Sequence, residues 1–460
     1  MLSIAVVGNT PSAWISALYI RRCLGAKVSL ILPPAPAQVD SFAYAQSLSP
    51  MSMREFHQLG LDESALVAQT QGTYLLANRL LDDKHRDAIL AYGDIGAALN
   101  GINFQHYFVK LRGQNYEQYS LACAMARQNK FVHPTQNQGS ILSTFAYGLA
   151  LTQDKTIALV AQQAKVAGVE VIQADQLMLA RQQNQISSIA VTADRHIKAD
   201  CYIDATDSQT LISNSSYSYS TLNRRLTVCS SQALSASCVR NVKAHKGGFL
   251  VSLSLPSKMT YKFYFDGNIH GDEWARENLQ ALVGKQHHEY AIFESLDNSE
   301  EWHGNCLSLS SRCINPCPLL LSDWDILLKK IAIFCELAPV KGEHGMVSKE
   351  YKRVLENYYQ CLSEYQDIAY NGKVNDRVAL YQSSANIMQR DRDPIAPKMW
   401  VNLMLALNIQ PRQYSPLLDM MNNESAFKQL LSIPSLIQKS INKMPSLPDY
   451  LVSLSSQYRG

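Results

Sequence analysis

The stretch LSIAVVGNTPSAW, residues 2–14, constrains this chain more than any other feature. Its apolar first half, Leu2–Gly8, reads as a buried strand, and the residues after it pass into a helical pattern with apolar positions at Trp14, Ile15, Leu18 and Ile20. Thr10 is placed to cap that helix, Pro11 to open it and Gly25 to close it. A second apolar strand, Lys27–Leu32, follows and is stopped by Pro33 and Pro34. Strand, helix and strand within about thirty residues are the opening unit of a parallel sheet.

The same pattern resumes far downstream. Asp154–Ala167 reads as a helix closed by Gly168, VEVIQA as a strand, QLMLARQQNQISSIAVTADRHIKA as an antiparallel excursion, and CYIDAT as another buried strand. The parallel sheet is therefore discontinuous, with residues of about 36–139 inserted. Beyond Ser322 the periodicity turns helical in SDWDILLKKIAIFCEL and SKEYKRVLENYYQCLSEYQDIAY, and short helices run on from there.

Bulk properties exclude several classes of function. A net charge of +3 over 460 residues gives no field that would steer nucleic acid or an anionic membrane surface to the chain. No apolar run reaches the length of a membrane span. The apolar start lacks a basic leading segment and is broken by Gly8–Pro11, so it is a strand and helix rather than a signal peptide. Ten cysteines are scattered without a CxxC pair, as free thiols in a reducing compartment are, and a cytoplasmic protein is expected. Cys313 and Cys317 flank a proline-interrupted segment with no paired histidines, and His287–His288 sit in a polar GKQHHEY loop, so no metal site is expected.

The loop at residues 8–13 poses the functional question. A dinucleotide loop uses one glycine for the turn after the strand, a second to let backbone approach the pyrophosphate and a third for close helix packing. Here the three positions are Gly8, Thr10 and Ala13. Ala13 is small enough for the third role. Thr10 carries a branched side chain where the phosphate would lie, and its hydroxyl can cap the amides that a phosphate would use. The acidic residue that holds a ribose at the end of the second strand is replaced by Leu32. By itself the loop is either an eroded cofactor site or an ordinary strand-to-helix turn.

Four further segments, YSLACAMARQNKF, SILSTFAYGLAL, WHGNCLSLSSRCINPCPLLLSDW and MWVNLMLALNIQPRQYSPLLDMM followed by MPSLPDYL, resemble in order and spacing the flavin-dependent tryptophan halogenases. The resemblance runs over essentially the whole chain. It implies an α/β fold: an FAD-binding module of the glutathione-reductase type with a helical substrate module against it. The FAD-like module would take residues 1–35, about 140–212 and 300–335; the substrate side about 36–139 and 213–299; and a C-terminal helical region about 346–460. In that family reduced FAD, oxygen and halide give hypohalous acid, which a lysine and a glutamate direct onto an aromatic ring.

Carried over residue by residue, the resemblance puts Leu75 at the lysine, Leu320 at the glutamate and Leu321 at the serine that contributes to halide binding. The tryptophan-rich WxWxIP signature becomes VSLSLP, with Val251 and Leu253 for the tryptophans and Leu255–Pro256 retained. The flavin-contacting glycines become bulky in Phe42–Ser47, where Phe42 and Tyr44 would fill the flavin slot, and a late flavin glycine becomes Asp207. If FAD is retained, Gly8, Asn9, Thr10, Ala13 and Asp207 would contact it. Leu75, Tyr92, His106 and Trp400 are the expected pocket residues, with ordinary packing an alternative for His106 and Trp400.

Two readings follow. In the first the chain keeps the fold but has lost flavin-dependent halogenation, and binds a ligand, an aromatic small molecule, or a partner, as a homodimer or with an active halogenase paralogue. In the second it is a divergent FAD-dependent monooxygenase or halogenase acting on an indole- or phenol-like substrate. Nucleic acid and membranes are not expected partners.

Overall fold

The computed structural model describes residues 2–34, 44–82, 86–206, 211, 222–230, 235–284, 291–294, 301–310, 316–337, 344–391, 393–420 and 424–458. The chain opens with β1 (Ser3–Val7), α1 (Pro11–Leu24) and β2 (Lys27–Leu32), as its apolar pattern predicts. It continues through β3 (Ala45–Leu48), α2 (Met53–His57), α3 (Glu63–Thr70), β4 (Thr73–Leu75), β5 (Ala77–Leu81), β6 (Asp87–Ala91), α4 (Phe104–Lys110) and α5 (Leu121–Arg127). Next come β7 (Gly148–Thr152), α6 (Gln153–Val166), β8 (Glu170–Gln173), β9 (Met178–Gln182), β10 (Gln185–Ala190), β11 (His196–Ile197) and β12 (Cys201–Asp204). A run of long strands follows in β13 (Arg224–Ser230), β14 (Val239–His245), β15 (Gly248–Ser254) and β16 (Met259–Phe265), then α7 (Asp272–Val283), β17 (Ala291–Glu294), β18 (Trp302–His303) and β19 (Cys306–Ser308). Helices complete the chain: α8 (Asp323–Leu337), α9 (His344–Asn371), α10 (Asp376–Ser384), α11 (Pro397–Ala406), α12 (Leu417–Met420), α13 (Glu424–Ile441) and α14 (Leu447–Gln457).

Two sheets carry the architecture. The first has the order β18–β19–β12–β1–β2–β8 and is parallel except at β18. Its central strand β1 is apolar and buried on both faces, as parallel strands must be. The β9–β10–β11 meander is the expected antiparallel excursion. The second large sheet runs β17–β13–β16–β15–β14–β5–β6 and is antiparallel except where β14 meets β5. One face of it packs Leu226, Val228, Leu250, Phe263 and Phe265 against α7. The other face looks toward β3 and the start of α8 and carries the residues of the candidate site.

The opening turn behaves as its sequence dictates. Thr10 caps α1 by accepting from the Ala13 amide, Pro11 occupies the first turn, and Gly25 ends the helix in the left-handed region. Gly8 has φ of 145°, and a Cβ there would meet the Ala205 carbonyl oxygen at 2.5 Å. Among the described residues no helix is long and apolar enough to cross a membrane.

Gly8→Ala should therefore lower stability by about 1–3 kcal/mol through strain and collision, read from the urea unfolding midpoint. Gly25→Asn, at a helix end with nothing near its Cβ, should change it by only a few tenths, since asparagine tolerates the left-handed region.

Candidate functional site

Ligands of open α/β sheets bind beyond the carboxyl ends of the strands, where the chain order reverses. In this sheet that point lies between β1 and β12. It is bridged by protein. The Thr10 hydroxyl donates to the Ala205 carbonyl at 2.7 Å while accepting from the Ala13 amide at 3.2 Å, and Thr10 is buried. The Gly8 amide is taken by the Ile31 carbonyl at 3.0 Å, and Asn9 accepts from the Trp14 indole at 3.2 Å. Ala13 is wholly buried against the strands. On the other side of the crevice Asp204 is spent on the Thr206 amide and hydroxyl and the Leu211 amide. At the end of β2, Leu32 offers its carbonyl to Ala174 and has no acid for a ribose. As they stand, these residues do not fit a dinucleotide: the anion-seeking helix terminus is capped from within. Asp207 and Phe42 lie outside the described residues.

The positions of the expected lysine and of one of the two expected tryptophans meet in one apolar cluster of Leu75, Tyr92, Leu253 and Leu255 with Ala45 and Ala150. Leu75 is 1% exposed, at the end of β4 opposite Gly148 of β7. Val251 lies apart, packed with Val242 and Tyr264. Tyr92 donates its hydroxyl to Asn78 Oδ1 at 2.9 Å, and burial raises its pKa. Leu320 and Leu321 are buried in the turn before α8. None of these leucines can hold an oxidant or accept a proton.

Charge lies beside them, on residues that the sequence reading passed over. Cross-strand partners share a face, and alternate residues return to it. The registers Thr227↔Lys262↔Val251↔Val242 and Arg225↔Tyr264 therefore put Arg225, Lys262 and Arg240 on the side facing β3 and α8. All three are buried. Arg225 pairs with Asp323 and lies over the Phe293 ring at 4.1 Å. Arg240 reaches across Asn78 to the Leu319 and Leu321 carbonyls, each contact at 3.3 Å, so it brackets the Leu320 position. The Lys262 amine donates to Gln46 Oε1 at 2.5 Å; Gln46 donates to Gln153, and Gln153 to the Tyr44 hydroxyl, each at 3.0 Å.

Electrostatics follow from this burial. For Asp323, burial alone would raise the pKa, but the Arg225 and Lys262 charges outweigh it and hold the carboxyl below its usual range. For Lys262, burial and then the repulsion of Arg225 and Arg240 overcome the pull of Asp323 and bring the amine down from 10.5 to about 7. The sequence signal was a basic residue on the inward phase of each of three strands, RRLTVCS, VRNVKAH and MTYKFYF. Only the pairing of the strands shows that those phases converge.

His106 and Trp400 belong to the packing of the helices. His106 Nδ1 accepts from the Ser415 amide at 3.1 Å, and burial lowers its pKa. Trp400 is wholly buried, 5.0 Å from the Tyr365 ring, with the Arg377 guanidinium 4.0 Å over its face. Its helix meets Tyr92 through Asn402, which donates to the Ala91 and Gly93 carbonyls. His287, His288 and Cys313 lie outside the described residues. Among the described residues no group of three or more metal-ligating side chains occurs, and the cysteines are free thiols.

Comparison with known proteins places this geometry. The family model described as tryptophan halogenase matches residues 3–370. The fold is similar to that of BrvH, a flavin-dependent halogenase from Brevundimonas sp. BAL3, at a TM-score of 0.82 and 18% identity over 98% of this chain and 99% of that one. It is similar to the tryptophan 6-halogenase SttH from Streptomyces toxytricini, at 0.83 and 14% over 98% and 99%. A tryptophan halogenase from Shewanella frigidimarina gives 0.82 and 14% over 100% and 98%. No curated protein matches the chain.

The buried lysine makes stability depend on pH. Between about pH 7 and 10.5 the unfolded chain keeps a proton on Lys262 that the folded protein has released, so the Lys262 contribution to stability rises with pH through that window and is lowest below it. The urea midpoint should accordingly gain more from pH 7 to pH 9 in the native protein than in Lys262→Met. Equal gains in the two would show that Lys262 keeps an ordinary pKa.

Proposed function

The chain belongs to the tryptophan halogenase family, and from that premise we propose that it is a member that has lost flavin-dependent halogenation and uses the fold to bind a ligand or a protein partner. One contact carries the reading: the Thr10 hydroxyl bound to the Ala205 carbonyl across the crevice where a pyrophosphate would enter. The chemistry supports it independently. Electrophilic halogenation needs a donor that holds the oxidant beside the ring and a base that takes the departing proton, and the two positions concerned are the buried Leu75 and Leu320. Arg240, the cation nearest the Leu320 position, has its Nη donors on carbonyl and amide oxygens.

The partner in this reading is a second copy of the chain or a catalytically competent paralogue, and the ligand an aromatic small molecule; a cytoplasmic location accords with the free thiols. A divergent FAD-dependent monooxygenase or halogenase acting on an indole- or phenol-like ring is the second reading. Gly8 and Ala13 favour it, because they keep the turn after β1 and the first turn of α1 as lean as a cofactor loop requires.

Flavin titration separates the two. The purified protein should be colourless and should show no saturable binding of oxidised FAD, or of FADH2 added anaerobically, at micromolar concentrations. A yellow protein, or micromolar affinity for either redox state, overturns the first reading and turns attention to oxygen-dependent chemistry on indoles and phenols.

A further inference from the structure

With Lys262 protonated, the row Arg225, Lys262 and Arg240 is not balanced by the groups that face it among the described residues. From α8 come Asp323, which pairs with Arg225, and Asp325, whose oxygens accept from the Ser49 amide and hydroxyl and the Ser322 amide. Burial raises the Asp325 pKa against those hydrogen bonds. From β3 come the neutral Gln46 and, just before it, the phenol of Tyr44, with the Lys262 ammonium 5.7 Å from its ring centre. β13 adds the Cys229 thiol, raised by burial, and β16 the Tyr264 phenol, pushed up to about 12. β5 contributes Asn78, and Tyr92 follows β6.

Among the described residues neither Lys262 nor Arg240 has a carboxylate at salt-bridge distance. Among the described residues the Nε groups of Arg225 and Arg240 have no hydrogen-bond partner, although the two residues are only 8% and 2% exposed. A guanidinium cannot shed its proton, and a buried charge without a counterion is costly. With Lys262 neutral, two arginines stand against two aspartates. With Lys262 protonated, one positive charge is left over, together with the free N–H groups of the ammonium and of Arg240 Nε.

We propose that Lys262 and Arg240 form a binding site for a small monovalent oxyanion of the carboxylate type, taken up from solution together with the proton on Lys262. The donors are suited to it. The ammonium has three N–H groups, of which Gln46 takes one. The two that remain and Arg240 Nε–H can serve both oxygens of a carboxylate, and the anion returns the local charge to balance. Uptake is therefore favoured by acid. The site depends on the sheet face and not on whether flavin binds.

The test compares melting temperatures in sodium formate and in sodium gluconate of equal ionic strength, at pH 6 and pH 8.5. Formate should raise the midpoint above gluconate by several degrees at pH 6 and by much less at pH 8.5. Lys262→Met should abolish the difference at both values. Lys262→Arg, which keeps a charge at both, should retain the formate gain and lose its pH dependence, and it carries the test if the methionine variant fails to fold. Equal midpoints in the two salts for the native protein, or a formate gain that survives in Lys262→Met, would overturn the proposal.

Discussion

Three basic side chains buried on one face of the antiparallel sheet set the terms on which that sheet meets β3 and the start of α8. Charge removed from water must be paired or neutralised, and here each residue meets the requirement differently. Arg225 finds Asp323 at the start of α8. Arg240 reaches the carbonyls on either side of Leu320. Lys262, left with an amide oxygen, lowers its own pKa. These contacts tie β13 to the first turn of α8, β14 to the turn before it and β16 to β3, and the start of α8 is tied to β3 through Ser322, Asp325 and Ser49. That face of the sheet is thereby covered by the chain's own polar groups.

A second closure lies at the mouth of the parallel sheet. The amides of a helix N-terminus seek an anion or an oxygen, and Thr10 supplies the oxygen from within the chain. Its hydroxyl hydrogen then goes to the Ala205 carbonyl, which joins α1 to the strand beside β1. The two closures differ in character. At the loop a single hydroxyl caps the helix and reaches the neighbouring strand; at the sheet Gln46, Gln153, Tyr44 and Lys262 form a hydrogen-bonded chain. Both rest on a frame of buried apolar strands such as β1, held in parallel register with β2 and β12.

Much of this was legible in the sequence, for local reasons. Thr10, Pro11 and Gly25 mark the ends of α1 because capping, proline placement and a left-handed terminus are decided by residues within a few positions of one another. The order β1, α1, β2 and the later antiparallel excursion followed from apolar periodicity. Leu75 and Leu320 could be singled out from the family resemblance, and the structure buries both. His106 and Trp400 lie outside the apolar cluster of Leu75 and Tyr92. His106 meets the Ser415 amide and Trp400 the Tyr365 and Arg377 side chains, contacts that no local pattern encodes.

By itself, then, the amino-acid sequence determined the strand–helix–strand opening, the caps of its helix and the resemblance that points to the family. The tertiary structure decided which buried polar and charged groups meet. That Arg225, Lys262 and Arg240 face one another is a matter of strand register across four strands, and register is settled by the pairing of whole faces rather than by any one residue. That Thr10 bonds to Ala205 depends on two segments separated by 195 residues lying side by side. Long-range pairing of this kind is specified only by the whole chain, since each contact exists because the rest of the fold holds its two halves in place.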